Sequence, residues 1–203
     1  MTLAKTALFI GGGVALTAFL GACAWIYSSS TVEQPKYDIV RYDGAIELRD
    51  YPELVTASVR RTGARYEAVN AGFRPLAGYI FAKEREGEKI AMTAPVTQRA
   101  GEGQDWTVQF IMPSEYALDD LPAPTRADVE LGTLPATRRA AIRFSGVATD
   151  ELIAEQEALL RKWMAANGLT PVGAPIYAYY NDPFTPGFLR RNEVLFDLDG
   201  ANS

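Results

Sequence analysis

The chain has 203 residues, 48% hydrophobic and 22% charged, a balance that excludes wholesale disorder and leaves about one domain behind an unusual first thirty residues. Its net charge of -5 and its scattered basic residues, paired at most as in Arg138/Arg139 and Arg190/Arg191, give no field to hold nucleic acid. It has no histidine and one cysteine, Cys23, which excludes imidazole metal sites, Ser-His and Cys-His nucleophile pairs and any intrachain disulfide.

Residues 7–27 form an uncharged apolar run of 21, about the length of a bilayer-spanning helix. Trp25 and Tyr27 close it, where amphipathic aromatics favour the interface. Lys5 and the α-amino group precede it, and the next basic residue is Lys36. That asymmetry favours the N-terminus inside and the domain on the extracytoplasmic, periplasmic side. A second reading stays open: Leu20-Gly21-Ala22-Cys23 resembles a lipobox, in which Cys23 is lipidated after cleavage. Residues 1–30 are thus an anchor or lipoprotein signal, and the polar stretch 31–36 a linker.

From residue 37 the chain alternates strands and helices. Residues 46–49 and 54–60 have the alternation of strands, with Tyr51-Pro52-Glu53 as the turn between them. Residues 65–82 are a helix candidate, Val69, Phe73, Leu76 and Ile80 lying at helical spacing, with a kink expected at Pro75. Residues 90–97 and 106–112 read as strands around the turn Ala100-Gly101-Glu102-Gly103, and 118–126, with Pro122 and Pro124, as a loop. Thr149 is an N-cap, Asp150 and Glu151 suit the first turn of a second helix, and Gly168 ends it. Residues 176–180 and 192–198 are closing strands.

The second half repeats the first. Aligned at an offset of 83 residues, 46–63 and 129–146 share six identities in 18 positions: Glu47/Glu130, Leu48/Leu131, Pro52/Pro135, Ala57/Ala140, Arg60/Arg143 and Gly63/Gly146. Each copy is read as a hairpin followed by a helix and two strands. Two ββαββ units predict an α+β domain with pseudo-twofold symmetry, a distorted antiparallel barrel or curved sheet with both helices packed on it. The junction of the halves is a natural place for a ligand cleft.

At this point the sequence resembles the SOUL/haem-binding proteins. Lys89-Ile90-Ala91-Met92-Thr93-Ala94-Pro95-Val96 is similar to that family's K-I-x-M-T-x-P-V strand. Phe110-Ile111-Met112-Pro113 with Pro122-x-Pro124, Phe144-Ser145-Gly146, Tyr180-x-x-Pro183-Phe184 and Arg190-Arg191-Asn192-Glu193-Val194 match further elements in the same order. The resemblance spans about residues 37–198 and implies the same duplicated fold, which also resembles the ligand-binding domains of bacterial multidrug-sensing regulators. It implies a non-enzymatic protein that holds a tetrapyrrole in a shallow apolar groove between the first helix and the loop before the last strand. Carried onto this chain, the groove comprises Val69, Phe73, Arg74, Ala77 and Tyr79 from the helix and Tyr180, Pro183, Phe184 and Phe188 from the loop. The family's basic residues on that helix are replaced by Asn70 and Gly78.

Without histidine, a haem iron would need Tyr, Met or Cys, or no protein ligand. Tyr79, Tyr179 and Tyr180 are the phenols nearest the inferred groove, and Met92 and Met112 read as core residues. Haem held without histidine, another tetrapyrrole or an amphipathic small molecule is therefore the expected ligand, beside a membrane, with no metal site of its own. An alternative is a small-molecule hydrolase or drug-binding domain built on Glu193 and tyrosines in the cleft, which requires that carboxyl to lack a cationic partner. The alternation in the last strand puts Asn192, Val194, Phe196 and Leu198 on one face and Glu193, Leu195 and Asp197 on the other.

Overall fold

The computed structural model describes residues 32–199. The apolar run, Cys23 and the expected span or lipobox lie outside the described residues, and within these no helix is long and apolar enough to cross a membrane. In chain order the elements are β1 (Asp38–Asp43), β2 (Ile46–Tyr51), β3 (Leu54–Thr62), α1 (Arg65–Ile80), β4 (Val96–Ala100), β5 (Asp105–Ile111), β6 (Glu130–Leu134), β7 (Thr137–Phe144), α2 (Asp150–Ala166), β8 (Pro171–Tyr179) and β9 (Asn192–Leu198). Short 3-10 turns follow β5 and β8, at Leu118–Asp120 and Gly187–Leu189.

The nine strands form one antiparallel sheet in the order β1-β2-β7-β9-β8-β4-β5-β3-β6. The expected repeat is present, but its first two strands do not form a hairpin. β2 pairs with β7 of the other half, and β6 with β3. Ile46 faces Ile142 and Tyr51 faces Thr137; after the break, Leu54 faces Leu134 and Ser58 faces Glu130. The register therefore carries through unchanged, and β2-β3 and β6-β7 run past each other as two long ribbons. Pro52 and Pro135 sit at the crossing and have no N–H to donate, so the ladder is interrupted there. β1 and β6 remain as free edges, and the sheet is not closed into the barrel that the sequence allows.

The symmetry extends to single hydrogen bonds. Gly63 and Gly146, equivalent in the repeat, have φ of +121° and +118°, which only glycine adopts without strain. The Gly63 amide donates to Gln104 O and the Gly146 amide to Gly187 O. Trp106 Nε1 then donates to Gly63 O, and Asn192 Nδ2 to Gly146 O.

Both helices cover one face of the sheet. Leu76 and Ile80 of α1 pack on Val59, Val108, Phe110 and Met112. Ile153, Leu160 and Met164 of α2 pack on Ile142, Val194 and Phe196. Gly72 lets α1 approach β5 closely: a Cβ there would stand 2.7 Å from Val108. α1 runs unbroken through Pro75. Thr149 Oγ1 accepts from the Leu152 amide, and at the other end of α2 Gly168 and Leu169 donate back to Ala165 O and Met164 O, the paired bonds of a Schellman stop.

The opposite face carries no helix. Its apolar core is Tyr51, Leu54, Ile111, Ala141, Ile176, Ala178 and Leu195. Residues 33–37 cross it as a strap. Glu33 O accepts from the Ala94 amide, Gln34 Oε1 accepts from Arg191 Nη1, and the Tyr37 ring packs at 5.0 Å against that of Tyr51.

One strand expectation is corrected and one strand is added. Residues 90–95 form no strand; β4 begins only at Val96, and the Thr93 hydroxyl instead donates to Ile111 O. β1 was not marked by any pattern, because all six of its residues are exposed on an edge.

Candidate functional site

The alternation of β9 places Glu193 on the helix-free face, as its sequence pattern predicts, beside Leu195. Glu193 is 1% exposed, as is Arg49 on β2. Arg49 Nη1 and Nη2 donate to its two oxygens at 2.7 and 3.0 Å. Arg191 adds two donations at 2.7 and 3.0 Å, and the Tyr180 hydroxyl a third at 2.9 Å. Arg49 also donates to Glu47 and the Tyr51 hydroxyl, and its guanidinium lies 4.4 Å from the Tyr37 ring centre.

Burial pushes the Glu193 pKa up, but the hydrogen bonds and charges of Arg49 and Arg191 outweigh it and hold the carboxyl below its ordinary value. A general base needs the opposite, a raised pKa beside an apolar pocket. Glu193 is a bonded, paired carboxylate, and the condition set for the hydrolytic reading is not met there. The next acidic residue on this face, Asp197, is likewise bonded, to Arg139 and Arg99.

The residues inferred for a groove divide by exposure. On α1, Ala77 and Tyr79 belong to the core beneath the helix and Val69 packs against it, while Phe73 and Arg74 are exposed. Phe73 leans edge-on to Phe110 at 5.3 Å and keeps 40% of its surface free. Asn70, also outward, donates to Tyr66 O, and Gly78 is buried.

In the β8–β9 loop, Tyr180 is committed to Glu193 while Pro183 is exposed, Phe184 is 88% exposed and Phe188 78% exposed. The loop itself is fastened. Asp182 accepts from the Phe184 amide and the Thr185 hydroxyl, and Arg190 donates to Thr185 O and Pro183 O. These bonds hold the two phenyl rings outward, and among the described residues neither ring pairs with another aromatic ring. The first residue of α1 is fastened to the second half of the chain by its side chain: the Arg65 guanidinium donates to Ala148 O, Asp150 and the Tyr179 hydroxyl, and nearby in sequence the Gly146 amide donates to Gly187 O in the loop.

The three phenols and two methionines considered for an axial bond to haem iron are engaged elsewhere. The Tyr79 hydroxyl donates to Pro122 O, Tyr179 to Gln98 and Tyr180 to Glu193. Burial raises the pKa of all three, against the phenolate that iron would need. Met112 is buried under α1 and Met92 packs against the same core.

A separate cleft of about 180 Å³ opens between the strap and the ends of β3 and β5, with Pro35, Leu54, Ile111, Met112 and Tyr116 among its walls. None of the nine inferred groove residues lines it. Sequence reasoning did not single it out, because its wall is formed by residues 33–36, which read as a linker.

Compared with known families, the chain matches the SOUL heme-binding protein family over residues 32–197 and belongs to it. No curated protein matches it in sequence. Among solved structures it is similar to the EcmrR C-terminal domain, 15% identical over 80% of this chain and 98% of that one, with a TM-score of 0.59. It is also similar to a hydrolase from Listeria innocua, 14% identical over 78% of this chain and 94% of that one, TM-score 0.55. An EcmrR–DNA complex is 12% identical over 97% of this chain and 70% of that one, TM-score 0.59. At these identities the likeness shows the fold alone.

Proposed function

We propose that this member of the SOUL heme-binding protein family is a non-enzymatic carrier of a tetrapyrrole or similar flat amphipathic molecule. The ligand lies against the exposed rings of the β8–β9 loop, Phe184 and Phe188, with Phe73 on α1 as a further exposed ring, beside a membrane. Family membership supports small-molecule binding. The observation that carries the location is the loop bonded so as to hold Phe184 and Phe188 in solvent. Exposed aromatic rings on a fixed backbone are the usual means of gripping a planar apolar body at little entropic cost.

In this reading the iron has no protein ligand, so the metal should matter little. A fragment of residues 32–203, which contains all three cores, is titrated with haem and with iron-free protoporphyrin. Both should show saturable absorbance changes with affinities within about tenfold of each other. Phe184→Ala or Phe188→Ala should weaken both by about tenfold, the loss of one stacked ring. No saturable change with either porphyrin, or binding untouched by both substitutions, overturns the reading.

A further inference from the structure

The β8–β9 loop, which carries the exposed phenyl rings, is bonded at its root to the strap by which the chain enters the domain. Gln34, in the strap, is bonded to Arg191 at the root of that loop. Tyr180 N and Arg191 O close the same root, and the Asn181 side chain accepts from the Arg191 amide. Val147, 56% exposed, lies against Gly187, and Leu189 is half exposed, so the rings belong to a wider apolar surface. Thirty-one residues precede Val32, and the uncharged run 7–27 ends five residues before it. Five extended residues reach at most about 18 Å.

We propose that Phe184 and Phe188 contact a lipid surface, inserting at the interface of the bilayer that holds residues 7–27. The occupant fits on three grounds. The rings are apolar and carry no charge to desolvate. The charged groups nearest to them, Asp182 and Arg190, are already engaged with each other's loop backbone. The uncharged run 7–27 precedes the domain in sequence by only a few residues. Phenyl rings on a fixed loop bury in the interfacial region without any rearrangement of the sheet. The inference rests on the membrane reading of residues 7–27. It shares two residues with the proposed ligand surface, so the ligand would be taken up at the bilayer.

The test uses the full chain in vesicles of phosphatidylcholine with brominated acyl chains, without any porphyrin. In a Trp25→Phe background, Phe184→Trp and Phe188→Trp each add one indole to Trp106 and Trp163. The added emission should shift to shorter wavelength and be quenched by about half, while the parent with Trp106 and Trp163 alone is unchanged. A chain that floats with the vesicles but shows an unquenched, water-exposed indole at both positions overturns the loop contact. A chain that does not float overturns the proposal at its premise. Neither outcome touches the porphyrin titration, which is done on the fragment in solution.

Discussion

Arg49 and Glu193 meet end on in the helix-free face, two nitrogens against two oxygens, although 144 residues separate them in the chain. Each is about 1% exposed, and each has further partners, Glu47 and Tyr51 for the one, Arg191 and Tyr180 for the other. A buried pair contributes little beyond an apolar pair of the same shape, but removing one member strips the buried partner of its main counter-charge: without Glu193, Arg49 keeps Glu47 alone and Arg191 loses the carboxylate it is bonded to.

Glu193→Gln should therefore cost about 3–5 kcal/mol of unfolding free energy, since two guanidinium groups, Arg49 and Arg191, lose the carboxylate between them and Glu47 alone remains beside Arg49. Urea denaturation measures it. Arg49→Met should cost a similar amount, and the double variant should lose clearly less than the sum. Porphyrin binding of the folded Glu193→Gln fragment should be unchanged. Additive losses would show that the two side chains act separately.

Stability should be flat between about pH 5 and 9 and fall on both sides. Glu193 and Asp197 have lowered pKa values in the fold, Asp128 is held at about 2 by Arg126 and Arg61, and Asp50 is lowered by Arg138. A depressed carboxyl contributes stability above its unfolded pKa, and that contribution is lost as pH falls through the folded value. Tyr51 is pushed up to about 12 by burial, and Tyr177, Tyr179 and Tyr180 are raised as well. Their contribution is present below about pH 10 and lost as pH rises from there. No histidine titrates in between. A transition in the denaturation midpoint centred near pH 6.5 would contradict this.

Gly72→Ala should destabilise by about 1–3 kcal/mol, since the new methyl meets Val108 at 2.7 Å and both sit between α1 and β5. Val108→Ala alone opens a void and is also destabilising. Combined, the two should be better tolerated than either change predicts by addition. Thermal melts of the three variants check it; strict additivity would mean that the helix simply moves away.

Gly63→Ala and Gly146→Ala should each cost about 1–2 kcal/mol, because both glycines have positive φ. For a domain of this size that is roughly 2–4 °C of Tm per kcal/mol. Gly146→Ala should cost more, since its methyl comes within 2.9 Å of Leu152 Cδ2 whereas nothing but Glu67, at 3.8 Å, approaches the other. Equal melts would argue against a crowded site at Gly146.

The α2 boundaries and the repeat were legible in the sequence because they rest on local chemistry: Thr149 caps, Gly168 stops, and Gly63 and Gly146 recur at one offset. The exchange of β2 and β6 between halves was not. Tyr51-Pro52-Glu53 suits a turn and a crossing equally, and only distant partners decide between them. The burial of Arg49 was invisible for the same reason. Phe184 and Phe188 were singled out by resemblance, whereas their exposure depends on how Asp182 and Arg190 fold the loop. Ala77 and Tyr79 share the helix with Phe73, yet point to the core, a difference of angle that residue type alone does not carry.

The unbroken register through the Pro52 and Pro135 crossing has a consequence for ancestry. Neither half owns a complete sheet, since each lends its first strand to the other. Two identical copies of such a unit would satisfy the same ladder about a true twofold axis, as a homodimer does. Joining them covalently lifts the demand that both sides of the axis be the same. One side carries Arg49 where the other has Gly132, and Glu193 where the other has Thr107. One four-residue turn, after β4, corresponds to a twelve-residue loop after β8. The buried ion pair and the aromatic loop are thus both departures from symmetry, features that a dimer of equals could have acquired only in duplicate.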